Sequence, residues 1–332
     1  MIMRRNGKAM RDFILSLFFI NLFALSALTA QSAQKQDDDD LRRVWNKKFV
    51  EERQKNANAQ PARPSGVKPA KSSARMRTRE VEENQPNSVP AAAAAASSPA
   101  ERLDGELIGV TFWQLADATA KAGRDKPRIM VQQPNGRVSR LVAERVTADT
   151  LFKTSQRVRI GVEVPRGKES YLYVIDREVY ADGTMSVPYL IFPSQTTPPG
   201  GNVATSGKLI YVPAQGDPIP YFNIHRDRSD QVSELLTIIV SPVPLDVRPG
   251  PPNAPTELDP ALVAQWERQW GGRTERRELR GGAGAKWTAK EKEAGEGKRK
   301  LLQNDPLPQT VYFVAGKRGD QTLVNVPLRI AP

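Results

Sequence analysis

The sequence predicts a mainly β protein, an antiparallel β-sandwich of the immunoglobulin-like or jelly-roll-like kind, with a two-helix insert near the C-terminus. Three observations support this class. Apolar and polar residues alternate over short segments, as they do in strands with one buried face. Proline and glycine turns separate these segments at intervals typical of sandwiches and barrels. Nothing in the pattern indicates the alternating strands and helices of a βαβ fold.

The clearest strand signal is a hairpin at Tyr171–Pro193, with the sequence YLYVIDREVYADGTMSVPYLIFP. Its first arm alternates apolar and polar residues. Asp182 and Gly183 then supply a turn dipeptide before aromatic and aliphatic residues resume. We therefore expect a central antiparallel hairpin. The other predicted strands lie at residues 107–115, 128–133, 156–164, 208–213, 220–225, 233–242, 309–315 and 322–330.

The helix signals of the folded region lie in an insert at about residues 257–303. Asp259 followed by Pro260 predicts a helix start, because Asp caps free N–H groups and Pro has no N–H to satisfy at the first helical position. Thr288 and Glu291 have capping-box spacing and predict a second helix. We expect the two helices to form a pair that packs against one side of the sandwich.

The N-terminus has the layout of a secretory signal peptide, which we predict at residues 1–30. Four basic residues open the chain, the apolar run Phe13–Leu28 follows, and small residues come next. The apolar run is shorter than the roughly 20 residues that span a bilayer. We therefore expect cleavage, membrane contact only during export, and a final location in the periplasm, the cell envelope or the extracellular space.

Residues 31–104 are polar and low in complexity, which predicts a disordered tail ahead of a folded domain at residues 105–332. Such a segment cannot bury enough apolar surface to offset the entropy of ordering it. Leu41–Glu52 is different, because Val44, Trp45 and other residues share one helical face. This segment predicts a short helix of the kind that orders on a partner.

Composition excludes several classes of site. The chain has no Cys and a single His, so it lacks disulfides, a lipid-modified Cys and the ligands of a zinc site. His225 is not accompanied by a G-x-S-x-G motif. The net charge of +12 can attract anionic cell-surface polymers, but no nucleic-acid-binding motif accompanies it. We predict no cofactor, no metal site and no nucleic-acid partner.

Four charged residues of the hairpin form the candidate polar cluster: Asp176, Arg177, Glu178 and Asp182. On a strand, Asp176 and Glu178 share one face and Arg177 points to the other. Two carboxylates on one face can serve acid–base hydrolysis, as in glycosidases, or bind Ca²⁺. The alternative is structural: the aspartates bond turn N–H groups, while Arg177 and Glu178 pair with neighbours.

Aromatic residues are the second candidate. Most of them alternate in phase with aliphatic neighbours, so we expect them in the core. An exposed pair with a polar rim would instead be suited to stacking against a sugar or a peptide. The residues concerned are Trp113, Tyr171, Tyr173, Tyr180, Tyr189, Tyr211, Tyr221, Trp266 and Trp270.

The hairpin and the segments after it also carry a resemblance. YLYVIDREVYADGT and PYLIFP, followed by KLIYVPAQGDPIPYF, SDQVSELLTIIVSPVPL and NDPLPQTVYFV, resemble the bacterial exported domain-of-unknown-function 4384 family over roughly residues 105–330. This chain has Ser170 where a Gly is usual, and it departs from the family again at residues 185–187. The resemblance implies export and a fold, and it implies no established activity.

These observations predict an exported, non-catalytic binding or interaction module of the bacterial cell envelope or extracellular space. Its expected partner is an envelope protein or a cell-surface glycan. The alternative is a carboxylate-dependent hydrolase, for example one that acts on glycans through Asp176, Glu178 and Asp182. A Ca²⁺-stabilised structural module is the third possibility.

Overall fold

The computed structural model describes residues 42–55, 58, 105–118, 127–132, 136–214, 217–279, 282–316 and 319–332. The predicted signal peptide and most of the predicted tail lie outside these residues. Strands account for 41% of the described residues and helices for 15%, which confirms the predicted mainly β class. None of the helices in the described part of the chain is long and apolar enough to cross a membrane.

Two antiparallel sheets contain all the described strands. The first sheet is formed by β1 (Gly105–Asp117), β2 (Ile129–Gln132), β3 (Val138–Val146), β4 (Arg157–Glu163), β8 (Ile210–Val212), β9 (Phe222–Asn223), β12 (Thr274–Glu278) and β13 (Thr310–Ala315). The second sheet is formed by β5 (Ser170–Tyr180), β6 (Tyr189–Phe192), β7 (Val203–Ala204), β10 (Gln231–Ser241), β11 (Thr256–Glu257) and β14 (Thr322–Arg329).

The order of the strands places the predicted hairpin at the centre of the second sheet. That sheet runs β11-β6-β5-β10-β14, and β5 pairs with β6 on one side and with β10 on the other. The first sheet runs β12-β13-β1-β3-β2, and β4 pairs with β1. The alternation of β5 and the turn at Asp182 were therefore sufficient to identify the central hairpin.

One apolar core joins the inner faces of the two sheets. Phe112 of β1 and Ile160 of β4, in the first sheet, belong to the same buried cluster as Val174 of β5, Ile238 of β10 and Val326 of β14, in the second. Each of these side chains is completely buried. Burial of a side chain of this size contributes about 1.5–3 kcal/mol, so this shared core holds the sheets together.

Residues one position away on the same strands point outward, and helices cover them. On the second sheet, Tyr173 of β5 packs in a cluster with Val263 of helix α2 (Pro260–Trp270). On the first sheet, Trp113 of β1 packs in a cluster with Ala294 of helix α3 (Ala289–Gly295). The outer faces of both sheets are therefore apolar in part.

The predicted starts of both insert helices are confirmed. The Asp259 side chain accepts a hydrogen bond of 2.8 Å from the Ala261 amide. Thr288 and Glu291 form a reciprocal capping box. The predicted packing of the helices as a pair is wrong. Strand β12 separates them and joins the first sheet through β13, and each helix buries its apolar face on a different sheet.

The second insert helix is also shorter than its sequence pattern predicts. The helix that Thr288 and Glu291 predict is expected to continue to about Leu302, whereas α3 ends at Gly295. Gly297 has a φ of +70°, the left-handed conformation that ends helices. Gly295 is needed for a different reason: a Cβ added there would lie 1.8 Å from the Tyr211 ring. The glycine lets the end of α3 pack directly on that ring.

Replacing Gly295 by Ala is therefore expected to lower the free energy of unfolding by about 1–3 kcal/mol, because overpacking displaces the Tyr211 ring. Helix propensity alone predicts the opposite effect, because Ala is the better helix former by about 1 kcal/mol. A loss of stability therefore reports the packing on Tyr211. Urea unfolding of the variant measures the effect. Gly316→Ala is the matched control, because no atom lies within 4 Å of its added Cβ. A Gly295→Ala variant as stable as the wild type would contradict the packing argument.

A third helix, α1 (residues 42–55), lies within the interval that the sequence assigns to the tail. Its formation agrees with the periodicity of Leu41–Glu52. Its place differs from the expectation, because α1 packs on the outer face of the first sheet rather than extending from the domain. Trp45 and Phe49 are completely buried there, in a cluster with Leu107 and Phe313. This part of the interval belongs to the folded body.

Candidate functional site

The four residues of the predicted polar cluster are not brought together. Asp176 and Glu178 continue the inner face of β5, because they follow Val174 of the shared core at intervals of two residues. Arg177 points to the outer face. Asp182 lies in the turn after β5. The four residues therefore lie in three separate environments, with Asp176 and Glu178 on one face of β5 and Arg177 on the other, as the period of a strand predicts.

Arg177 holds helix α2 on the second sheet. Its buried guanidinium donates to the Thr237 hydroxyl at 3.0 Å and forms an ion pair with Glu267 of α2. Glu267 also accepts a hydrogen bond of 3.0 Å from Asn325 of β14. These contacts match the structural alternative in which Arg177 pairs with a neighbour.

Asp182 stabilises the hairpin turn. Its Oδ1 accepts hydrogen bonds from the Thr184 hydroxyl at 2.6 Å and from the Thr184 amide at 2.9 Å. These bonds lower the pKa of Asp182, because they favour the charged carboxylate. Asp182 is exposed and has its partners within the turn, so it behaves as a turn residue rather than as a member of an active site.

Asp176 and Glu178 meet a third carboxylate that the sequence analysis did not connect with them. Glu234 of β10 lies directly opposite Glu178 in the pairing with β5, and Leu236 lies opposite Asp176. Like charges placed opposite each other across a sheet repel. We call Asp176, Glu178 and Glu234 the carboxylate cluster. It forms where the inner face of the second sheet leaves the apolar core.

The carboxylate cluster is only partly satisfied by hydrogen bonds. Tyr180 donates to Glu178 at 2.6 Å, and Gln231 donates to Glu234 at 2.7 Å. By contrast, Asp176 Oδ1 and Glu234 Oε2 are removed from solvent and have no hydrogen-bond partner among the described residues. A buried carboxylate with an oxygen that lacks a donor favours its protonated form.

Protonation follows from this environment. Burial, and secondarily the Glu234 carboxylate, raise the pKa of Asp176 well above its ordinary value of 3.8. Burial, and secondarily Glu178, raise the pKa of Glu234 to about 7. The cluster therefore takes up protons at pH values where ordinary carboxylates are ionised.

The single histidine lies at the rim of this region. His225 is exposed, its Nδ1 lies 2.9 Å from the Asn223 carbonyl oxygen, and its Nε2 lies 3.2 Å from Asp227. The backbone contact raises the pKa of His225. Among the described residues, no group of three or more His, Asp or Glu side chains is arranged to hold a metal ion.

A second region contains a cavity of about 300 Å³ at the C-terminal end of α2. The residues that line it include Glu106, Gln269, Trp270, Asp320, Gln321 and Thr322. The Trp270 ring stacks on the Trp266 ring, with centroids 5.2 Å apart and planes inclined by 15°. Trp266 is buried, whereas Trp270 is only partly buried. We call this space the Trp270 cavity.

Glycines fix the position of Trp270. A Cβ added at Gly272 would lie 2.0 Å from the Ala315 carbonyl oxygen, so only glycine allows this approach to the end of β13. Gly271 forms a parallel bridge with Leu323 of β14. The sequence shows Gly271-Gly272 only as a helix stop. Its second role is to hold the end of α2 between β13 and β14. That role depends on contacts with residues about 40–50 positions further along the chain.

No family model, curated protein or solved structure matches this chain. The Trp270 cavity has the size of a ligand pocket, since such pockets begin at about 300 Å³. Another cavity, lined in part by Trp113, Arg145 and Glu291, measures about 10 Å³ and has room for no more than about one water molecule.

Proposed function

We propose that this protein is an exported, non-catalytic binding module and that its ligand is a cell-surface glycan held in the Trp270 cavity. One observation carries the proposal: a partly exposed Trp, stacked on a buried Trp, lines a cavity whose other lining residues include Gln269, Gln321 and Asp320. The flat C–H face of a sugar packs well on an indole ring. Amides and carboxylates bond the hydroxyl groups at its edge.

The architecture and the N-terminus support the same proposal. Two antiparallel sheets with one shared core support a β-sandwich of the immunoglobulin-like or jelly-roll-like kind, and many such modules carry binding sites at loops and sheet ends. The basic and apolar start of the chain supports export to the periplasm, the envelope or the medium. Membership of the domain-of-unknown-function 4384 family is proposed on the residues quoted above.

Binding to oligosaccharides prepared from bacterial envelope polysaccharides, both neutral and acidic, tests this proposal. By isothermal titration, Trp270→Ala is expected to weaken binding at least tenfold, because the stacking platform is removed. Trp270→Phe is expected to retain part of the affinity. Gln265→Ala is the matched control, since Gln265 is exposed on the same helix and does not line the cavity.

Two results would contradict the proposal. One is the absence of binding to every member of the panel by the wild-type protein. The other is a Trp270→Ala variant that binds as the wild type does, which would place the ligand elsewhere.

One observation favours the hydrolase alternative. Glu234, with a pKa of about 7, can be protonated near neutral pH, as a general acid must be. The base would be Glu178, directly opposite it. Neither of the two cavities described above is lined by these residues. Release of reducing sugar from the same panel, lost in Glu234→Gln and kept in Trp270→Ala, would favour the hydrolase over the binding module.

A further inference from the structure

Helix α1 is held on the domain by side-chain anchors. The 49 residues from 56 to 104 lie between it and β1, which begins at Gly105. A chain of this length spans at most about 160–175 Å when it is extended. The docking of α1 therefore depends on the side-chain contacts between the helix and the first sheet. Those contacts define which helix this surface can bind.

The anchors are Trp45, Phe49 and Arg53, spaced by four residues along one helical face. Each is at most 1% exposed. The Trp45 ring stacks on Phe313, with centroids 6.0 Å apart. The opposite face of α1 is polar, with Arg43 and Lys47 exposed. The helix is thus amphipathic, and its three anchors make up a W-x3-F-x3-R pattern.

The surface under α1 is shaped for these anchors. We call it the α1 groove, lined by Leu107, Gly109, Glu163, Leu279, Val311 and Phe313. A Cβ added at Gly109 would lie 3.0 Å from the Phe49 ring and 2.4 Å from Pro308. Glycine at this point of β1 leaves room for the aromatic ring. The absence of a side chain at this position leaves room mainly for Pro308, and for the edge of the Phe49 ring beside it.

Arg53 has the most demanding position. Its Nε and Nη2 donate to the two oxygens of Glu163 at 2.7 and 2.6 Å. Nη1 donates to the carbonyls of Leu302 and Asp305, both at 3.0 Å, and Nη2 donates to that of Pro306 at 3.1 Å. A guanidinium has five N–H donors, and five acceptors meet it here. The groove therefore contains a complete arginine pocket.

Buried Trp and Arg anchors in fitted pockets are the pattern of an interaction hot spot. An amphipathic helix in an apolar groove is also a recurring mode of recognition. We propose that the α1 groove is a docking site for the W-x3-F-x3-R helix, and that the helix of a second copy of this chain can occupy it in exchange for the chain's own α1.

The choice of a second copy follows from the contacts. A neighbouring α1 presents the same three anchors, so the energy of docking is the same within one chain and between chains. Exchange of an identical element is a low-cost route to dimers. Whether a groove holds its own α1 or that of a second copy then depends on the protein concentration relative to the effective concentration of the chain's own helix. That effective concentration is at most about millimolar and falls as the connecting chain lengthens. Dimer formation is expected to rise with protein concentration.

The first test is binding of a fluorescent peptide of residues 41–58 to the purified chain. A Trp45→Ala/Phe49→Ala chain, whose own helix no longer competes, is expected to bind the peptide at least tenfold more tightly than the wild type does. A peptide with Arg53→Ala is expected to bind this Trp45→Ala/Phe49→Ala chain, the vacated chain, at least tenfold more weakly. Adding Glu163→Gln to the vacated chain is expected to weaken binding of the unchanged peptide by the same factor. Lys47→Ala, on the exposed face of α1, is the control and should behave as the wild type.

The second test measures exchange directly, and the absence of cysteine makes it simple. One batch carries Lys47→Cys with a donor dye, and another carries Thr274→Cys with an acceptor dye. Mixing is expected to produce energy transfer that grows with concentration and is lost when the donor chain carries Arg53→Ala. Failure of the peptide to bind a folded, vacated chain would overturn the docking site. Peptide binding without energy transfer up to millimolar protein would overturn the exchange.

Discussion

Replacement of Arg145 by Ala is expected to lower the free energy of unfolding by about 3–5 kcal/mol, because it leaves a buried carboxylate without its partner. Arg145 of β3 and Glu291 of α3 form an ion pair in which both side chains are buried. Arg145 also donates to the Leu307 carbonyl at 2.7 Å and lies 5.1 Å from the centroid of the Trp113 ring.

The loss also weakens the start of α3. The Oε2 atom of Glu291 accepts hydrogen bonds from the Thr288 amide at 3.0 Å and the Thr288 hydroxyl at 2.7 Å. Its Oε1 atom pairs with Arg145. Without the guanidinium, Glu291 either stays charged in an apolar cluster or leaves the capping box. Both outcomes cost stability, so the effect exceeds that of a surface ion pair, which is about 0–1 kcal/mol.

Urea unfolding gives the measurement. Arg140→Ala on the same strand is the control, since Arg140 is exposed and its loss should change stability by no more than about 0.5 kcal/mol. A double variant, Arg145→Met with Glu291→Met, should recover much of the loss, because it leaves no unpaired charge. Equal stabilities of the Arg145→Ala and Arg140→Ala proteins would show that the pair is unimportant.

The pair also shows where reasoning from the sequence stops. Charged residues of both signs interleave along this sequence, a pattern that by itself indicates a solvated surface. Arg53, Arg145, Glu163 and Glu291 are buried instead, because helices α1 and α3 cover the outer face of the first sheet. Partners 110 and 146 residues apart give no local signal. Only the packing of helix on sheet reveals them.

The local features were more accessible. Alternation and an Asp-Gly turn predict the central hairpin, and Asp259 and Thr288 predict the helix starts, because each signal lies within a few residues. The packing partner of each helix was not predictable, since an amphipathic face does not say which sheet it meets.

The carboxylate cluster was only partly predictable from the sequence. Asp176 and Glu178 share a face by the period of the strand alone. Glu234 lies on a segment that was also predicted as a strand, in phase with Leu236 of the core. Its place opposite Glu178 depends on the register of β5 with β10, which side-chain alternation does not specify.

That register leads to the second large effect. Glu234→Gln is expected to raise the free energy of unfolding at pH 8 by about 3 kcal/mol and to leave it nearly unchanged at pH 4. Burial and Glu178 raise the pKa of Glu234 from its ordinary 4.5 to about 7 in the folded protein. Each tenfold difference in proton affinity corresponds to about 1.4 kcal/mol.

The sign follows from which state holds the proton. Between pH 4.5 and about 7 the folded protein keeps a proton on Glu234 that the unfolded chain has released. The contribution of this group is therefore most favourable below pH 4.5, and stability is lost as pH rises through that window. Above it, the folded protein carries the full cost of a buried charge beside Glu178. Glutamine keeps the shape without that charge, and Gln231 can still donate to its carbonyl oxygen.

Urea unfolding of wild type and variant at pH 4, 6 and 8 measures the difference, and comparison at each pH cancels the titration of other groups. Glu257→Gln is the matched control, because Glu257 is exposed on β11 and should shift stability little at any pH. The raised pKa of Asp176 acts in the same direction, so Asp176→Asn should also stabilise at pH 8. If Glu234→Gln raised the free energy of unfolding as much at pH 4 as at pH 8, the difference from the wild type would come from packing and not from charge.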